Sequence, residues 1–134
     1  MFLLDTNVVS ETRRLRPDPS VLAWLGRQAV VDLYVSVVTL GELQAGVEVT
    51  RRQDRPKALE LERWVDQVPD RFTIIQVSGE VFRAWARLLH RRSDTLMLDG
   101  MIAATAMVHD LTVVTRNTRD FAPFGVPTFN PFRN

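Results

Sequence analysis

The sequence predicts an α/β protein with a central, mostly parallel sheet of four to five strands and helices on both faces. Short apolar runs rich in strand-favouring residues recur at 1–4, 33–37, 72–75 and 111–114. Between them lie longer segments whose apolar residues repeat at spacings of three and four, the period of an amphipathic helix. Strands that alternate with helices need crossover connections, which make the strands parallel and cover the sheet on both sides. A length of 134 residues fits one domain spanning 1–134, and an apolar fraction of 46% is ample for its core.

Each element has a local reason. Residues 1–4 read as a short buried strand, and 7–13 as one or two helical turns. Pro17-Asp18-Pro19 marks a break, after which Asp18 or Ser20 caps a helix carrying Val21, Leu22, Trp24 and Leu25. Leu33-Tyr34-Val35-Ser36-Val37 is the second strand. From 38 to 51 the pattern is helical, with Leu40, Leu43 and Val47 on one face. Pro56 starts the next helix, whose apolar positions include Leu59, Leu61, Trp64, Val65 and Val68, and Pro69-Asp70 is expected to stop it. Phe72-Thr73-Ile74-Ile75 is the third strand. Ser78 caps a helix bearing Val81, Phe82, Trp85, Leu88 and Leu89, and 100–109 form another, small-faced through Ala103, Ala104 and Ala106. Leu111-Thr112-Val113-Val114 is the fourth strand, and Val126-Pro127-Thr128-Phe129 a short edge strand, where proline is tolerated.

Composition narrows the function. The absence of cysteine excludes a disulfide scaffold and thiolate metal sites. The opening Met1-Phe2-Leu3-Leu4-Asp5 meets an acid too early for a signal peptide. No apolar run approaches the roughly 20 residues of a spanning helix. A cytoplasmic protein without a membrane partner is expected. Net charge is only +1, yet Lys57 is the one lysine among seventeen basic residues. Arginine's planar fork suits phosphate. Arginines 13, 14 and 16, 51, 52 and 55, and 91 and 92 are candidates for a phosphate-binding rim, with a merely solvated surface as the alternative.

The chemistry is expected in four acids. Asp5 follows the first strand, and Glu42 lies in the first turns after the second. Asp99 opens the small-residue helix, and Asp120 sits just past the fourth strand. All four fall at the carboxyl edge of the sheet, where open parallel sheets bind ligands. Singly, each has a structural reading. Asp5 and Asp99 can be N-caps, Thr39 and Glu42 have capping-box spacing, and Asp120 can be a turn residue. Together they form a desolvated cluster that no nearby cation obviously balances, and such carboxylates pair or coordinate metal. All-oxygen donors suit Mg²⁺ or Mn²⁺, which point to phosphodiester hydrolysis.

Four segments in register then resemble PIN-domain toxins of the VapC type, most closely the FitB-like branch. They are Leu4-Asp5-Thr6-Asn7, Thr39-x-x-Glu42-Leu43, Asp99-Gly100-x-Ile102-Ala103-Ala104-Thr105-Ala106, and Thr115-Arg116-Asn117-Thr118-x-Asp120-Phe121. Asn130-Pro131-Phe132 resembles the FitB-type finish. The resemblance implies a PIN-like three-layer α/β/α fold and a Mg²⁺-dependent endoribonuclease toxin that forms a homodimer. It also implies a VapB-like antitoxin, whose C-terminal segment blocks the acidic pocket and whose N-terminal part binds DNA. Asp5, Asp99, Glu42 and Asp120 match the metal ligands. Thr6, Thr115 and Asn117 match supporting or phosphate-contacting positions. Some relatives carry an acid at the position of Asn117, so either Asp120 or the Asn117 position completes the set.

Other classes fit less well. His90 and His109 fall at helix C-terminal ends, a structural position, and no glycine-rich phosphate loop or serine elbow occurs. Trp24, Trp64 and Trp85 sit at core spacing rather than as stacking platforms. A receiver-type signalling domain would need a lysine after the last strand and an aspartate after a middle one. A housekeeping RNA-processing nuclease of the same fold and a non-catalytic binding module are the alternatives.

Overall fold

The computed structural model describes residues 1–133. Strands β1 (Phe2–Leu4), β2 (Leu33–Ser36), β3 (Thr73–Ile75), β4 (Thr112–Val114) and β5 (Thr128–Phe129) form one sheet in the order β3-β2-β1-β4-β5. All four pairings are parallel, with Leu3 opposite both Tyr34 and Val113. The sheet is therefore wholly parallel rather than mostly so, and has five strands. From β1 the chain moves outward to β2 and β3, then returns to place β4 and β5 on the other side. Strand order thus reverses between β1 and β4, and a crevice opens beyond their carboxyl ends.

Side-chain alternation along the strands separates two cores. Leu4, Leu33, Val35 and Val114 pack with residues of α1 (Thr6–Glu11), α2 (Pro19–Arg27), α3 (Val37–Arg51) and α4 (Arg55–Arg71). Leu3 and Val113 pack with Ile102, Ala103 and Ala106 of α6 (Met97–His109) and Phe121 of α7 (Thr118–Phe121). The result is three layers. Helix α5 (Gly79–Leu89) docks on α6 through Val81 and Ala84 against Met101 and Ala104. Gly100 permits that approach, since a Cβ there would lie 2.8 Å from Leu89 Cδ2. Among the described residues no helix is long and apolar enough to cross a membrane.

Four local expectations are corrected. Helix α4 does not stop at Pro69 but runs through it to Arg71. Proline removes one ladder bond in the last turn, while Val65 and Val68 remain buried and the Phe72 N–H still returns to the Val68 carbonyl at 3.1 Å. Helix α3 is capped by Ser36, whose Oγ accepts from the Val38 N–H at 3.0 Å, so Thr39 and Glu42 are not its capping box. Helix α6 begins at Met97, which puts Asp99 in its first turn rather than at its N-cap. Residues 118–121 are helical, so Asp120 lies on α7 and not in a turn. Pro127 does precede an edge strand, where its carbonyl accepts from Val113 N–H at 2.9 Å.

Candidate active site

Asp5 ends β1 at the reversal point and is buried, with 6% of its surface exposed. Its backbone N–H continues the ladder to the Val114 carbonyl at 2.9 Å, so its Cα position is set by β4 as much as by β1. It is also the N-cap of α1, and Oδ1 accepts from the Thr6 N–H at 2.8 Å. Oδ2 accepts from the Thr115 hydroxyl at 2.8 Å and from Asn7 Nδ2 at 3.1 Å. Asn7 in turn donates to Thr115 Oγ1 at 3.2 Å and accepts the Arg116 N–H at 3.0 Å, while Thr115 Oγ1 accepts the Asn117 N–H at 3.0 Å. This network ties the end of β1 to the β4–α7 turn.

Glu42, half-buried on α3, is held by the same first turn of α1. The Thr6 hydroxyl bonds Glu42 Oε1 at 2.8 Å and lies 3.2 Å from Thr39 Oγ1. Thr6 therefore touches a carboxylate directly, as does Thr115, whereas Asn117 contributes its backbone N–H and exposes its side chain. Asp99 is half-buried and Asp120 exposed, and neither accepts a hydrogen bond from another site residue among the described contacts. Asn7 and Thr39 complete the network, although the sequence offered Thr39 only as a capping-box residue and Asn7 only as a member of a resembling segment, not as site residues. For Asn7 the signal was its place two residues after Asp5, in reach of that carboxylate.

Electrostatics bring together acids that hydrogen bonds do not. Burial raises the Asp5 carboxyl pKa, opposed by its bonds from Thr115, Thr6 and Asn7, and the Asp120 charge pushes it further up. Burial raises Glu42 likewise; the Thr6 bond opposes it and the Asp5 charge adds to it. Asp99 is pushed up to about 6, first by desolvation and then by repulsion from Asp5, Asp120 and Glu42. The fields of all four acids thus overlap in one crevice. None of the four is paired with a lysine or arginine in the ion pairs of the described residues.

That donor set, oxygen-only and uncompensated, is of the kind that holds Mg²⁺ or Mn²⁺. The side chains as they stand do not enclose an ion: among the described residues no three acidic or histidine groups converge that closely. Both oxygens of Asp5 are occupied, Glu42 leans on Thr6, and like charges without a cation repel.

The arginines divide. Arg51 is pinned by Glu48 and Glu62, and Arg14 reaches buried Glu11 at 3.4 Å. Arg92 donates to the Leu88 and Pro123 carbonyls and stacks on Phe124, a structural role. Arg13 lies over Trp64 beside the site. His90 and His109 sit at the ends of α5 and α6, away from any acid–base pairing.

Comparison with known proteins agrees with the fold. The family model described as PIN domain matches residues 2–125. The chain is 35% identical over 140 residues to Toxin FitB of Neisseria gonorrhoeae, covering 100% of both. It is 31% identical over 137 residues to the VapC ribonuclease Y4jK of Sinorhizobium fredii, covering 98% of each. Among solved structures, a chain of FitAB bound to an IR36 DNA fragment superposes with a TM-score of 0.84 at 34% identity, covering 100% of this chain and 97% of that one.

Proposed function

Since the chain belongs to the PIN-domain family, and within it to the FitB-like toxins of the VapC type, we propose that it is a Mg²⁺-dependent endoribonuclease, the toxic half of a type II toxin–antitoxin pair. The observation that carries this reading is the overlap of four carboxylate fields at the strand-order reversal, with none of the four ion-paired among the described residues. Asp5, Glu42 and Asp99 would hold the metal, with Asp120 or the Asn117 position completing the set. Mg²⁺, or Mn²⁺ in its place, supplies Lewis-acid activation of water and of the phosphodiester.

The protein's own part is positioning. Three donors fix Asp5 in one rotamer, which keeps one ligand preorganised at no further cost in conformational entropy. Thr6 steers Glu42 toward the same crevice. Asn7 and Thr115 hold the β4–α7 turn, and with it Asn117 and Asp120, against Asp5. Half-buried Asp99 and exposed Asp120 keep the side-chain freedom to close on a cation.

The partner on this reading is a VapB-like antitoxin that blocks the acidic crevice and supplies DNA binding. The similarity to the chain in the DNA-bound FitAB complex supports it, and a homodimer is the assembly the family resemblance implies. The nuclease reading is tested with antitoxin-free protein and single-stranded RNA. Cleavage should require Mg²⁺ or Mn²⁺ and stop in EDTA; cleavage undiminished by EDTA overturns it.

A further inference from the structure

Beside Glu42 a cavity of about 160 Å³ opens between α1, α3 and α4. It is lined by Thr6 and Glu42, by the apolar Leu43, Val47 and Val65, and by Trp64. Arg13 sits at the rim, its guanidinium 5.8 Å from the Trp64 ring centre. Trp64, Leu61 and Arg13 also border a second, outer cavity of about 410 Å³, whose charged residues are Arg13, Arg14, Lys57 and Arg71 against the single carboxylate Glu60. The two cavities thus adjoin at Arg13, Leu61 and Trp64, and the inner one borders the acidic crevice at Glu42. The other two tryptophans are engaged elsewhere: Trp24 is buried against Phe2 and Phe129, and Trp85 donates to the Met97 carbonyl.

We propose that the inner cavity is a subsite for one unpaired nucleobase of the RNA, stacked on Trp64 with the Arg13 guanidinium moved outward to cap it, and with the next phosphates held along the outer groove by Arg71 and by Lys57 as it exchanges Glu60 for phosphate. The inference rests on the nuclease reading for the identity of the strand, and on this cavity alone for the subsite. Three features favour RNA. The cavity adjoins a carboxylate of the reacting site, so its occupant is within one nucleotide or so of the bond that breaks. Its wall is a half-buried aromatic face, the surface on which single-stranded bases stack. Of the four cations along the outer groove, Arg14 reaches Glu11 and Lys57 lies 3.7 Å from the exposed Glu60, which leaves Arg13 and Arg71 outside any ion pair of the described residues to meet a polyanion. A base in a duplex is already stacked and cannot enter, so the subsite selects single strands and loops.

The test uses the whole chain and a fluorescein-labelled single-stranded oligoribonucleotide, with binding read by anisotropy in EDTA so that no cleavage intervenes. Stacking of one base predicts that Trp64→Leu, which keeps apolar bulk without a π face, weakens binding on the order of tenfold, while Trp64→Phe retains most of it. An abasic site walked along the oligonucleotide should cost the wild type a similar factor at one position and cost Trp64→Leu nothing more there, because both changes remove the same contact. Arg13→Gln, an exposed change that spares the core, should weaken binding and lower the salt slope by about one. In Mg²⁺, base preference next to the cut should flatten in Trp64→Leu.

Wild-type affinity in a folded Trp64→Leu protein, with a flat abasic walk, overturns the subsite even if cleavage is normal. Should Trp64→Leu lose only antitoxin binding, the cavity takes a peptide and the proposal fails. Trp64-dependent binding of RNA that is never cut leaves the subsite standing and defeats the nuclease reading instead.

Discussion

Asp5 and Asp99 carry the same carboxylate in opposite surroundings. Asp5 is the more buried, yet three donors stabilise its charge and oppose the desolvation. Asp99 accepts no bond from the site, so desolvation, and after it the charges of three neighbouring acids, pushes its carboxyl from the usual 3.8 up to about 6. A raised acid pKa means that the folded chain binds its proton more tightly than the unfolded chain. The contribution of Asp99 to stability is therefore complete below 3.8 and is lost as pH climbs through about 6. Urea melts of the metal-free protein should show stability falling across that window, and Asp99→Asn should flatten the fall. At neutral pH the variant should be at least as stable as the wild type. The same variant should lose RNA cleavage in Mg²⁺, since it removes a charged ligand but keeps the shape. An active variant would remove Asp99 from the metal set.

Among the elements, α3 matters because it brings Glu42 to the crevice, and its start decides where Glu42 points. Ser36, fully buried at the end of β2, caps it, whereas Thr39 is turned inward to Thr6. Ser36→Ala should therefore cost about 1 kcal/mol in chemical denaturation, the usual worth of an N-cap. Thr39→Val should leave the start of the helix intact while disturbing Thr6 and hence Glu42. Equal loss of helix stability from both changes would restore the capping-box reading of Thr39 and Glu42. Helix α4 teaches a related lesson. A proline near a helix end costs one hydrogen bond, and a buried face spanning Val65 and Val68 outweighs it.

For the molecule as a whole, a cation held in the crevice as proposed would link folding to metal binding. Acids that repel one another in the metal-free fold are a local destabilisation that a bound cation would relieve. Mg²⁺ at about 100 times its dissociation constant should then add roughly 2.7 kcal/mol to wild-type stability. Thermal melts with and without Mg²⁺ measure this, and Asp99→Asn should show a much smaller rise. A melting temperature indifferent to Mg²⁺ and Mn²⁺ in the wild type would count against a bound metal. The joint between β1 and β4 is where such a linkage would act, because Asp5, Asn7 and Thr115 fasten the two strands and the site at once.

Periodicity and composition by themselves determined the α/β class, the order of the major strands and helices, and the placing of Asp5 just after the first strand. They could do so because strand and helix periods, proline breaks and polar caps are local properties of the chain. The four acids were legible as members of one sheet edge for the same reason. Only the tertiary structure decided the rest. It set the order β3-β2-β1-β4-β5, which puts β4 against β1 and so brings Thr115 to Asp5 across 110 positions of sequence. It turned Thr39 away from capping and toward Thr6, carried α4 past Pro69, and wound 118–121 into a helix bearing Asp120. It also left Trp64 packed against the core, as its spacing suggested, while making it part of the lining of a cavity beside Glu42. Helical spacing shows which side of α4 is apolar; what lies opposite that side depends on how α1 and α3 pack against it, and no local pattern encodes that.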